Sequence, residues 1–187
     1  MSLSRSSAGV ALAVAGVVAL LLSGCAGAAP APSPSPSADA ADPIFASDEE
    51  ALAAAVEAYE AFESVSHSIA TDGGEDPDRI RPTVTDTYAV GLLEEFDQYR
   101  ALGLHVVGSS SLDSFELAEF SSTADSAFVT IYVCRDVTGV QVIDEAGADV
   151  TPADRSDRTP LIADLIAETG GELVVGGVEL WPGDDFC

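Results

Sequence analysis

Hydrophobic patterning changes three times along the chain, and each change predicts a different kind of segment. Val10 to Leu22 is an unbroken apolar run with one positive charge, Arg5, ahead of it. Ala26 to Pro43 has no apolar period, and proline recurs at positions 30, 32, 34, 36 and 43. From Ile44 the apolar residues recur at three- and four-residue steps. Leu52, Val56, Tyr59, Phe62, Val65 and Ile69 predict one face of a helix of about 20 residues. Ser47-Asp48-Glu49-Glu50 reads as its capping box, with Glu50 reaching back to the Ser47 amide, and Gly73-Gly74 and Pro77 end it. Asp78 to Val84 forms a short helical turn. Thr85 caps a second helix marked by Tyr88, Leu92, Phe96, Tyr99 and Leu102, and Gly103 takes the left-handed position after it.

From Leu104 the period is two. Strands are predicted at His105–Val107, Ser114–Phe120, Ala127–Asp136, Gly139–Ile143, Leu161–Glu168 and Glu172–Trp181. Along Ala127–Asp136, Val129, Ile131 and Val133 share one face, while Phe128, Thr130, Tyr132 and Cys134 share the other. Gly176-Gly177 marks a bulge in the last strand. Helices first and antiparallel hairpins after them predict an α+β fold, with N-terminal helices packed on a curved antiparallel sheet over residues 44–187.

The front of the chain follows a different logic. Val10 to Leu22 is about 13 residues, short of the roughly 20 that cross a bilayer. It leads into Leu22-Ser23-Gly24-Cys25, which resembles the lipobox of bacterial lipoproteins. In that motif small residues before the cysteine leave room for the enzymes that acylate its thiol and cut before it. The resemblance implies a signal peptide at 1–24, a lipid on Cys25 and a Pro/Ser/Ala-rich linker over 25–43. A retained signal anchor and a plain secretory signal are the alternatives, and Leu-Ser-Gly-Cys fits lipidation better than an Ala-x-Ala site. A linker in extended polyproline geometry reaches roughly 50 Å, so it holds the domain off the membrane.

Charge narrows the class of partner. The formal charge is −25, with 32 acids against 7 arginines and no lysine; loss of Arg5 with the leader makes it −26. Nucleic-acid binding needs a basic footprint that this chain lacks. The acids read as a solvated, self-repelling surface, and Asp144-Glu145 and Asp184-Asp185 lack calcium-loop spacing. Of three cysteines, Cys25 is assigned to lipid, which leaves Cys134 and Cys187 as a pair suited to an oxidising compartment. Two free thiols or two zinc ligands are the alternatives. His67 and His105 lie too far off in sequence to complete a strong zinc spacing. No metal and no cofactor is expected.

Catalytic chemistry is thin. A general base would come from Asp136, Asp164 or His105, and none forms a dyad in sequence. Asp164 is expected to face solvent from a half-buried strand. Asp136 and Arg135 are expected to pair with loop charges such as Arg155 or Asp157, and His105 to sit at a strand edge. No Gly-x-Ser-x-Gly is present, the Gly-Gly pairs lack phosphate-loop spacing, and Trp181 reads as a core or rim aromatic. No catalytic residue is assigned.

Element order, together with Tyr132-Val133-Cys134-Arg135-Asp136, Asp154-Arg155-Ser156-Asp157-Arg158 and the closing Glu179-Leu180-Trp181-Pro182-Gly183-Asp184-Asp185-Phe186-Cys187, resembles a known group. It is similar to small secreted lipoproteins of high-GC Gram-positive bacteria carrying a nuclear transport factor-like, or SnoaL-like, cone domain. That resemblance implies a bridge from Cys134 to Cys187. Cone domains include isomerases and cyclases as well as binding modules, so the fold leaves function open. The expectation is a non-catalytic binding or accessory module, anchored by lipid on the extracytoplasmic face of the cell membrane. Its partners are the membrane, through the anchor, and a cell-envelope protein. The alternative is a cone-fold enzyme or small-ligand receptor.

Overall fold

A computed structural model describes residues 41–169, 171–183 and 186–187. The apolar run Val10–Leu22, Cys25 and the linker as far as residue 40 lie outside the described residues. Within the described residues no helix is long and apolar enough to cross a membrane.

Helix α1 spans Asp48–Thr71 and begins where the cap predicts. Ser47 Oγ accepts from the Glu50 amide at 3.3 Å, and Glu50 Oε2 accepts from the Ala46 amide at 2.9 Å. The return bond of the box therefore lands one residue earlier than expected, still satisfying an otherwise orphaned donor. Asp48, Glu49 and Glu50 place negative charge where the helix dipole favours it. A 3-10 helix, Pro77–Thr83, follows, then α2, Asp86–Ala101, capped by Thr85 Oγ1 on the Tyr88 amide at 3.2 Å. Gly103 has φ +62°, the left-handed conformation its position predicts. Leu102 was expected on the apolar face of α2, but it is the C-cap and is exposed.

Among the described residues six strands follow: β1 His105–Val107, β2 Ser111–Ser122, β3 Ser126–Asp136, β4 Gln141–Ile143, β5 Arg158–Glu168 and β6 Val174–Leu180. Strands β2, β3, β5 and β6 form one antiparallel sheet in the order β2-β3-β5-β6, curved and not closed. The α+β expectation is met. Strands β1 and β4 stand apart as a two-stranded ribbon, pairing His105 with Ile143 and Val107 with Gln141. The Gly139–Ile143 segment therefore leaves the main sheet and returns through a loop, and β3 pairs with β5 directly. The expected bulge is present: the β5–β6 register shifts after Asp164, which faces Gly177, so that Leu165 faces Val175 and Gly176 is left over. A Cβ on Gly176 would lie 2.9 Å from Ile166 Cδ1, so a larger residue would press on β5. The edge of β6 is partly covered, because the Thr85 amide donates to the Val175 carbonyl.

The helices cover one face of this sheet. Val129, Ile131 and Val133 of β3, with Ala163 and Leu165 of β5, are fully buried against Tyr59, Phe62, Ile69, Ile80 and Phe96. On α1 the buried stripe is Ala51, Ala55, Tyr59, Phe62 and Ile69, with Leu52, Val56 and Val65 at its margin. The buried face is thus rotated toward two alanines, and Leu52, Val56 and Val65 are left half-buried. Each large aliphatic side chain buried here contributes on the order of 1.5–3 kcal/mol.

The opposite face of the sheet carries the closure of the chain. Cys134, on that face and fully buried, is bonded to Cys187. Tyr132, two residues before it, meets Trp181 edge-on at 4.8 Å and Phe186 at 5.6 Å between ring centroids. Trp181, Phe186 and Cys187 therefore lie against the outer face, Cys187 covalently fixed there.

Two outcomes follow for stability. Ile131→Ala should lower the unfolding free energy by about 2–5 kcal/mol, the cost of a core cavity, with an unchanged denaturant slope. Cys187→Ala should cost about 4 kcal/mol, because the bond closes a 53-residue separation in the unfolded chain. Urea denaturation of each variant against the parent checks both.

Candidate functional site

Arg158, at the start of β5, sits where β2, β3 and the C-terminus meet. Its Nη1 and Nη2 donate to the two carboxylate oxygens of Asp113 on β2, at 2.8 and 2.6 Å. Its Nε donates to the backbone oxygen of Cys187 at 3.0 Å, and Asp136 of β3 lies 3.7 Å from Nη1. A bidentate pair of this geometry is the stronger kind of charge-assisted bond. Arg158 holds the Asp113 carboxyl below the usual aspartate range, with the Ser114 hydroxyl adding to the effect. Asp136 is also held low, first by the Thr138 backbone amide that it accepts from at 2.9 Å. This corner is a structural clamp beside the disulfide. Asp136 faces Arg158, not Arg155, because β3 and β5 align Asp136 with Arg158 in register. Arg155 turns inward to the loop, donating to the carbonyls of Val140 and Val137 and pairing with Asp157.

Arg135 was also expected to meet a loop charge, and it reaches α1 instead. Its Nη1 lies 3.4 Å from Glu63 Oε1, which accepts the Tyr59 hydroxyl at 3.2 Å as well. Tyr59 is fully buried, and burial raises its pKa well above the ordinary phenol value, so it remains a neutral donor. The trio ties helix to sheet through a carboxylate that is only 14% exposed. Sequence offered no signal for this link, since Glu63 and Arg135 are 72 positions apart.

The other candidates are dispersed. Asp164 lies on the outer face, half-buried, accepting the Thr130 hydroxyl at 2.7 Å. His105 lies in the β1–β4 ribbon, opposite Ile143. Among the described residues no three His, Cys, Asp or Glu side chains are placed to hold a metal ion. Cys134 and Cys187 are joined to each other, which removes the free-thiol and zinc-ligand alternatives. Trp181, expected as a core or rim aromatic, is half-buried against Tyr132.

A cleft that the sequence reading missed lies between four segments: Ile44–Phe45, the middle of α1, Pro82–Thr83 and the turn before β6. Its volume is about 470 Å³, within the usual range for small-molecule sites. On α1 it is lined by Ala54, Glu57, Ala58 and Ala61, and across from them by Leu173 and Glu172. Those four α1 positions share one helical face, a second periodicity hidden because alanine scarcely registers as a hydrophobic stripe.

No family profile and no curated sequence matches the chain. The fold is similar to the crystal structure of the intermembrane space region of chloroplast protein ARC6. The TM-score is 0.50 at 9% identity, over 69% of this chain and 95% of that one. A likeness at this identity concerns architecture alone.

Asp113→Asn should lower the melting temperature at neutral pH. A carboxylate with a lowered pKa stabilises fully above its unfolded value of about 3.9, and the stabilisation is lost as pH falls through the folded value. The gap between parent and variant should therefore close in strong acid. Melting curves from pH 7 to pH 2 check this, and a constant gap would exclude the clamp.

Proposed function

We propose that the chain is an extracytoplasmic lipoprotein, tethered through an acylated Cys25 and a Pro/Ser/Ala-rich linker, whose domain is a non-catalytic binding module. The observation that carries the reading is the Cys134–Cys187 bond. A disulfide that ties a chain end into a domain suits an oxidising compartment. It also uses two of the three cysteines and leaves Cys25, the one behind the lipobox-like stretch, for lipid.

Two further features support a binding role. The space between helices and sheet, where a cone-fold enzyme would hold its substrate, is occupied by Tyr59, Ile80, Val129, Ile131, Leu165 and Val175. The carboxylates brought together by the fold are engaged by arginines that link one element to the next, as Glu63 is by Arg135 and Asp113 by Arg158. Such pairs fix a scaffold. The acidic surface keeps the domain from lying flat on anionic lipid, so the linker and not the domain makes the membrane contact.

Cys25→Ala should move the protein from the membrane fraction to the medium and abolish incorporation of labelled palmitate, with no change in the melting temperature of the domain. Palmitate incorporation that survives the substitution would overturn the lipid assignment.

A further inference from the structure

We propose that the cleft between α1 and the turn before β6 binds a cationic amphiphile, a small molecule with an aliphatic body and a protonated amine. The inference deepens the binding-module reading by naming the class of ligand. The walls set the body: Ile44, Phe45, Ala58, Pro82 and Leu173 present apolar surface around about 470 Å³, and an apolar body placed there is taken out of water. The rim sets the head. The ionisable groups lining the cleft are two carboxylates, Glu57 on α1 and Glu172 before β6.

The domain supplies no cation to meet them. Each of its six arginines is engaged with another carboxylate: Arg79 with Asp72, Arg81 with Asp78, Arg100 with Asp97, Arg135 with Glu63, Arg155 with Asp157 and Arg158 with Asp113. With no lysine in the chain, the positive charge complementary to Glu57 and Glu172 has to arrive with the ligand. A carboxylate amphiphile of the same length would bury its tail equally well and meet repulsion at the rim. Charge therefore discriminates between ligands that the apolar walls accept alike.

The test uses the chain from residue 25 carrying Cys25→Ala, which contains every described residue and brings no acyl group into the measurement. Failure of the lipid assignment and failure of this site are then separate results. Titration with n-octylammonium, followed by amide chemical shifts, should saturate, with the largest changes at residues 44–45, 54–61, 83 and 171–173. n-Octanoate should bind at least about tenfold more weakly, as should n-octylammonium to the Ala58→Phe chain, in which the cleft is filled. Shifts scattered over the acidic surface without saturation would overturn the proposal, as would equal binding of octanoate. If Ala58→Phe does not fold, the doubly substituted Glu57→Gln/Glu172→Gln chain decides, since both positions are exposed. Unchanged affinity for octylammonium there would overturn the site.

Discussion

The bond between Cys134 and Cys187 is the constraint on which the outer half of this structure rests. It joins β3, one of the two inner strands of the sheet, to Cys187, and so fixes that residue on the face opposite the helices. Trp181 and Phe186 meet Tyr132 there, and Arg158 binds the Cys187 backbone oxygen while gripping Asp113. Covalent closure and the arginine clamp act at one corner, where β2, β3, β5 and the chain end converge. The clamp is polar and partly exposed, so its own contribution is modest. The disulfide acts chiefly on the unfolded chain, by removing conformations that a 53-residue loop would otherwise sample.

The other face depends on burial. Four alternating residues of β3 and four of β5 share the core with the helices, where Ala51 and Ala55 of α1 are fully buried. Charge has a different part in each region. Arginine is scarce, and all six arginines of the domain sit in pairs, four of them close in sequence and two, Arg135–Glu63 and Arg158–Asp113, tying sheet strands to distant elements. Among the described residues most of the acids therefore have no arginine to pair with, and they give the surface its strong negative character. A domain of this kind repels anionic surfaces and favours ligands that carry their own positive charge.

Much of the fold was legible in the residues. The Ser47 cap, the Thr85 cap, Gly103 and the period change at Leu104 mark the helices and the first strand within a few positions, since these signals act over one turn or one hairpin. Alternation along Ala127–Asp136 fixed which side faces the core and placed Cys134 on the other. Pairing between distant segments was not legible. Nothing local shows that β4 joins β1, that Arg135 reaches Glu63 or that Arg158 serves Asp113, because each contact is set by how the layers stack. The cleft was hidden for a related reason: its α1 wall is built from alanines, which leave space by being small.

Location, cross-link and anchor meet in the assignment of three thiols. Two are bonded to each other within the domain, and the account gives the third to lipid. Mass spectrometry of protein taken from the membrane fraction measures this directly, after alkylation in denaturant before and after reduction. The account predicts no alkylated cysteine before reduction and two after it, at Cys134 and Cys187, with Cys25 blocked throughout. Alkylation of Cys25 in either state, or of Cys134 before reduction, would contradict it.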